Sequence, residues 1–330
     1  MKAQPQLGTF FLPLLAVGLV LAMVLFPDLA FKSAVQGLEV WWQIVFPALL
    51  PFFIGAQVLM GLGVVHFMGV LLEPLMRPLF NVPGAGAFVM AMGLASGYPI
   101  GSVLTARLRR QEVVSKAEAE RLMSFTNTAD PLFMSGAVAV GMFGQAGLAG
   151  IIMAAHYLSA LATGLVLRYY RPDAPATPVE QTSGSLFHRA IQVLVKARRK
   201  DGRPFGQLLG DCVRDSVNTL LLIGGFIIIF SVIIRILTRI HLVDLLAHGF
   251  ALVLQPLGVD PDINTALVSG LFEITLGTQL AAQTAAPLPH QLIAASAIIA
   301  WSGLSVHAQV AAVIQGTDIS VGPYVASRLF

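Results

Sequence analysis

Charge is scarce in this 330-residue chain: Asp, Glu, Lys and Arg make up 11% of it, against about 25% in an ordinary soluble domain. With 56% hydrophobic residues and a mean hydropathy of +0.79, that scarcity excludes a conventional cytosolic enzyme. One cysteine, Cys212, is present, which rules out an intramolecular disulfide and a cysteine zinc cluster. No H-E-x-x-H, G-x-S-x-G or P-loop occurs, and the seven histidines include no close pair that would chelate a metal. No enzyme activity, cofactor or metal is therefore expected. The formal charge of +3 and the pI near 9.2 suit a Lys/Arg excess in cytoplasmic loops rather than a nucleic-acid footprint.

Long apolar runs fill the rest. A spanning helix takes about 20 mostly apolar residues, so the length holds about eight to ten membrane elements, and an all-α polytopic membrane protein is expected. Residues 1–37 are expected to hold an uncleaved N-terminal span, Leu7 to Pro27, and its connection. A first membrane repeat is expected over 38–170, with Met68–Phe80 lying at the interface because it carries Glu73, Arg77, Pro74 and Pro78. Residues 171–216 hold thirteen charged side chains, eight of them basic. They read as a cytoplasmic loop, solvated or touching membrane lipid headgroups. A second membrane repeat is expected over 217–330.

The punctuation of the two halves matches. Pro78 and Pro83 recur as Pro256 and Pro261, Gly93-Leu94 as Gly270-Leu271, and Phe125-Thr126 as Trp301-Ser302, at offsets of 178, 178, 177 and 176 residues. Arg107, Arg109, Arg110, Lys116 and Arg121 follow the first interrupted run, whereas Ile274 to Thr317 contains no charged residue. The positive-inside tendency puts these counterparts on opposite sides. Two inverted repeats are thus expected, with broken or re-entrant helices meeting near the bilayer midplane. Lys32, Arg235 and Arg239 resist this scheme, because it leaves them on the outer side.

Four polar interruptions carry the chemistry: Ser96–Ser102, Ser124–Pro131, Glu273–Gln279 and Ser302–Gln309. Backbone freed by Gly or Pro must face protein or a watery cavity, and exposed half-helix N-termini suit anions. The expected substrate site comprises Ser96, Gly97, Tyr98, Pro99, Thr126, Asn127 and Thr128 from the first half. Thr275, Ser302, Ser305, His307 and Gln309 come from the second. Asp130 is the one charge between Arg121 and Arg168, and Glu273 the one between Asp262 and Asp318. Intramembrane carboxylates point to ion or proton coupling; the plainer alternative is that each caps a half-helix. His307 reads equally as an anion donor or a packing histidine, and Tyr98 as a stacking or packing ring.

The runs Gly93–Gly101 and Ser124–Phe133, together with Pro47-Ala48-Leu49-Leu50-Pro51-Phe52, resemble those of the sporulation integral membrane protein YlbJ family of spore-forming Firmicutes, also called SpoVV. The resemblance runs from about Trp41 to the C-terminus and is weakest in the central loop. It implies duplicated nucleoside-recognition "Gate" segments, distantly related to concentrative nucleoside transporters. It also implies a part in moving dipicolinic acid from the mother cell across the outer forespore membrane. The family's signature runs fall on Ser96–Gly101 and Ser124–Pro131; the second-half residues rest on the repeat alignment alone.

Dipicolinate, a planar pyridine with two carboxylates, suits opposed half-helix N-termini, the hydroxyls of Ser96, Thr128 and Ser305, and the amides of Asn127 and Gln309. The piece lacking is a fixed cation, since neither membrane patch contains Lys or Arg. Compensation is expected from several helix termini, from His307, or from co-transported Na+ or H+. A nucleoside or nucleobase transporter and a non-transporting sporulation scaffold are the alternatives. The oligomeric state stays open.

Overall fold

The computed structural model describes residues 8–178 and 185–330, so Leu7, the first residue of the expected N-terminal span, lies outside the described residues. Among these residues there are helices and no strand. Helices α1 (Gly8–Leu25) and α2 (Pro27–Val40) form a pair bent by 102°, with Pro27 at the first helical position, where its missing N–H costs nothing. A π-helical turn, Trp41–Val45, leads into α3 (Phe46–Gly61). At Gly63, φ +84, the chain swings by 81° into α4 (Val64–Phe80). This is the stretch expected at the interface, and the sharp bend lets it depart from the direction of α3.

Two broken pairs follow. α5 (Ala85–Ser96) and α6 (Ile100–Arg110) form the first. α7 (Lys116–Thr126) opens the second and continues, past a gap at 127–130, into a π-helical arm, Phe133–Met142. α8 (Ala149–Leu167) closes the first repeat. The central residues 171–216, read as a loop, contain α9 (Leu186–Asp201) and the start of α10 (Phe205–Arg239). Ser185 accepts the His188 N–H as the α9 cap, and Gly202, φ +68, ends the helix, so local capping makes a helix of what composition alone marks as polar.

The second repeat repeats the plan. After α11 (Leu242–Leu254) come α12 (Asn264–Phe272) with α13 (Ile274–Gln283), then α14 (Leu288–Trp301) with α15 (Gly303–Val313), and finally α16 (Val321–Arg328). Among the described residues, three helical stretches are long and apolar enough to cross a membrane, Ala146–Leu167, Phe205–Arg239 and Leu288–Val313; the bent pairs raise this to five.

Contacts fix the relative orientation of the repeats. The tip joining α6 to α7 carries Arg110, which donates to the carbonyls of Val313 and Gln315 at 2.8 Å. The far end of α15 therefore lies on the basic face with the first repeat's tip. The second repeat's own tip, between α13 and α14, stands at the other end of that broken pair. There α13 packs against the π-helical arm Phe133–Met142. The repeats are inverted, as the charge pattern predicts. The 35-residue α10 is about 52 Å long and exceeds the roughly 30 Å hydrocarbon layer. Arg235 and Arg239 occupy its far end, where Arg235 reaches Gln36 at 3.4 Å and Arg239 lies over the Phe26 ring at 5.6 Å.

Candidate functional site

Within each repeat the two broken spans cross at their breaks. Gly97 has φ +77, and a Cβ there would stand 2.6 Å from Asp130 Oδ2. Gly303 also has φ +77, and its would-be Cβ would lie 3.0 Å from the Phe272 carbonyl and 3.1 Å from Glu273 Cα. Left-handed backbone and close approach together require glycine. Because the breaks cross, residues from all of them face one cavity of about 430 Å³. Tyr98, Asp130, Glu273, Thr275, Ser305 and Gln309 line it, with Leu49, Ile223 and Ile227 closing the side. Its size and mostly apolar wall fit the range of about 300–1,000 Å³ for small-molecule sites. Among the described residues, no Lys or Arg is on that wall.

The four half-helix N-termini at the breaks differ in how they are capped. Asp130 Oδ1 accepts the Phe133 N–H at 2.8 Å, and Glu273 Oε2 accepts the Leu276 N–H at 2.7 Å. Each carboxylate thus satisfies one orphan donor and the positive end of a helix dipole. By contrast the residues that open α6 and α15, Pro99 and Ser302, cap neither helix with a side chain, although Asn127 reaches the α6 N-terminus from the neighbouring break. Both side chains stay on the cavity wall.

The remaining residues singled out from the sequence, Ser96, Gly97, Pro99, Thr126, Asn127, Thr128, Ser302 and His307, are not on that wall. Thr126 donates to the Leu122 carbonyl at 2.7 Å and Thr128 to that of Gly93 at 3.1 Å. Asn127 accepts from the Ser102 N–H at 3.4 Å and donates to the Tyr324 hydroxyl at 3.0 Å. Ser302 Oγ donates to the Trp301 carbonyl at 2.5 Å, and His307 Nε2 donates to the same oxygen at 3.0 Å. These groups are occupied in closing the breaks, the recurrent use of short polar side chains where a helix ends. Ser96 Oγ is buried without a hydrogen-bond partner among the described residues. Tyr98 combines both readings: its ring lines the cavity, and its hydroxyl donates to the Ile299 carbonyl across the repeats at 2.9 Å.

Sequence reasoning missed two groups. On α8, His156 Nε2 accepts the Ala129 N–H at 3.0 Å, and Tyr157 donates to the carbonyls of Leu94 and Ala129 at 3.1 and 3.2 Å. They hold the break that carries Asp130. On α16, Arg328 donates to the Ser124 carbonyl and reaches that of Ala300 at 3.5 Å, while its guanidinium lies 4.8 Å from the Tyr324 ring centre. Ser124 and Ala300 are equivalent in the two repeats, at the 176-residue offset. One guanidinium therefore spans matching carbonyls of both halves. A fixed cation does exist near the midplane, at the seam rather than on the cavity wall. Its only sequence signal was Tyr324 and Arg328 four apart on one helix face.

A family model described as nucleoside recognition, Gate, matches residues 42–166 and 220–318, one segment over each repeat. The chain belongs to the Gate nucleoside-recognition family. The two Gate segments contain all four breaks and leave out the whole of α9 and of α16. The chain is also 45% identical, over 98% of its own length and 78% of the relative's, to the sporulation integral membrane protein YlbJ of Bacillus subtilis (strain 168). It is accordingly a multi-pass membrane protein of the YlbJ family. No solved structure matches it.

Proposed function

We propose that this chain is a secondary transporter that carries a small planar organic anion, dipicolinate, across the outer forespore membrane during sporulation. The observation that carries the reading is a cavity walled by residues from the crossing breaks of both inverted repeats, the position at which such folds bind substrate. The Tyr98 ring offers a stacking face for the pyridine. Ser305 and Gln309, beside an α15 N-terminus without a side-chain cap, offer donors to a carboxylate.

On this reading the wall calls for coupling. Two like charges about 6 Å apart repel by about 3 kcal/mol at an effective dielectric of about 20. A dianion meeting Asp130 and Glu273 on a wall without Lys or Arg enters only when H+ or Na+ neutralises the carboxylates. The same wall supports a second reading, a neutral nucleoside or nucleobase as substrate, which the description of the Gate family also favours.

Dipicolinate flux into proteoliposomes, with uridine as competitor, tests both. The expected result is saturable flux driven by a Na+ or H+ gradient and insensitive to uridine. Gln309→Ala should reduce it, and Asp130→Asn should uncouple it from the gradient. Uridine flux without dipicolinate flux sinks the anion reading, and no flux of either under any gradient sinks transport.

A further inference from the structure

A cavity of about 260 Å³ lies toward the basic face, below the midplane one. Gln57 and Gly61 of α3, Arg107 of α6, and Cys212 and Asp215 of α10 line it. Leu49 of α3 and Ile223 of α10 line the midplane cavity, eight residues from Gln57 and Asp215 respectively. Eight residues of helix are about 12 Å. Leu49, Phe53 and Gln57 recur at a spacing of four, as do Cys212, Ser216 and Leu220, so each row keeps to one side of its helix. The two cavities therefore open on the same seam, between α3 and α10, at two depths.

One apolar layer stands between them. Phe53, Leu220 and Val310 are buried in a core that also holds Leu49, Ile223 and Val306. Val306 is on the midplane wall, and Val310 is the next turn of α15 toward the basic face, on a helix packed against α10. Beyond the layer the seam turns polar. Gln57 Nε2 donates to Ser216 Oγ at 3.1 Å, and both side chains are buried. Gln57 Oε1 has no hydrogen-bond partner among the described residues. An unpaired buried amide oxygen is costly, and the cost is relieved when water or a solute's N–H or O–H reaches it from the cavity that Gln57 lines. At the mouth Arg107 pairs with Asp215 at 3.3 Å, joining α6, which starts at the first break, to α10.

We propose that the smaller cavity is the cytoplasmic mouth of the path to the midplane cavity. Phe53, Leu220 and Val310 form the layer that opens, and Gln57 is the polar step that a solute meets in crossing it. The inference rests on the transport reading above; opening and transport separate experimentally. The positive-inside tendency puts this face in the cytoplasm. An apolar constriction closes a path to polar solutes by excluding water, so a layer one side chain thick is a sufficient barrier. The partly exposed Arg107–Asp215 pair ties the first repeat's broken span to α10 at the mouth and favours the closed form.

The test uses the full chain in inside-out membrane vesicles. Ile223→Cys in a Cys212→Ser background leaves one thiol, on the midplane wall. The probe is sulfonatoethyl methanethiosulfonate, a small anion that does not cross the bilayer. Leu220→Ala thins the layer and should speed labelling on the order of tenfold. Arg107→Gln releases a partly exposed pair and should speed it about two- to fivefold. Gln57→Leu should slow it, because an apolar side chain there extends the layer; a general loosening of the fold would speed labelling in all three. Leu49→Cys, on the facing helix, should give the same order as a second reporter. Equal rates in every protein, or acceleration by all three substitutions, overturn the path. Labelling that follows these side chains in a protein that moves neither dipicolinate nor uridine upholds the opening and rejects transport. Normal flux with labelling indifferent to them overturns the path and leaves transport standing.

Discussion

Asp130 stands at the second break of the first repeat, and the equivalent position of the second repeat holds Val306; both line the midplane cavity. At the first break the order reverses, with buried Ser96 in one repeat and Glu273 in the other. Each half thus supplies one carboxylate from a different break. Inversion then makes neighbours of the two arms they cap, since the arm Phe133–Met142 packs against α13. Both arms capped by a carboxylate run toward the outer face, while α6 and α15, which no carboxylate caps, run toward the basic face. The difference teaches that duplication set the architecture, and that divergence at two positions gave the cavity a polarity no symmetric pair would have.

The sharpest way to break the comparison is at the paired glycines. A Cβ on Gly93 collides with the Thr126 carbonyl, part of the backbone, whereas the nearest atoms to one on Gly270 belong to the Ile298 side chain. Gly93→Ala should cost about 3 kcal/mol and Gly270→Ala distinctly less, read as thermal unfolding in detergent; equal losses mean that the two crossings are packed alike. Next is the seam. Arg328→Gln should destabilise by about 1.5–3 kcal/mol, the range for hydrogen bonds to a charged group. Arg328→Lys should not restore it, because an ammonium lacks the planar fork that spans two carbonyls; full rescue by lysine removes the clasp from consideration.

Smaller effects sharpen the picture at the caps. Asp130→Ala and Glu273→Ala should each cost about 1 kcal/mol, while Asp130→Asn keeps the cap and the stability. A large loss in only one of the two Ala variants denies the parallel. The smallest effect lies outside the membrane, at the exposed Arg109–Asp318 pair, 2.8 Å apart. Arg109→Ala should cost about 0–1 kcal/mol. The Arg109 guanidinium holds the Asp318 carboxyl below its usual range. The pair's contribution is therefore full above an unfolded Asp value of about 3.9 and disappears as pH falls through the lower folded value. A difference between wild type and variant that persists in strong acid contradicts this.

Much of the architecture was legible because glycine, proline and charge act locally. Gly93, Gly270, Phe125 and Trp301 marked the repeat, and the lone carboxylates marked the breaks. What the sequence left ambiguous was direction. Whether Asn127, Ser302 or His307 turns to the cavity or back to a carbonyl depends on partners far along the chain, such as Tyr324, 197 residues after Asn127. Arg328 was hidden for the same reason: its partners are main-chain oxygens, which every residue possesses, so no side-chain pattern announces them. The helix within 171–216 was masked by its charge, although the Ser185 cap and Gly202 stop were in plain view.

The unequal elements that close the repeats have a thermodynamic consequence. Two identical inverted halves exchange roles when a molecule passes from one access state to the other, so the states would have equal free energy. Here the first repeat closes with the 19-residue α8 and the second with the eight-residue α16, whose arginine reaches carbonyls of both halves. A contact of about 1.5–3 kcal/mol kept in one state and released in the other tilts their ratio by roughly ten- to a hundredfold. On the transport reading, such a molecule has a resting side before any ligand arrives.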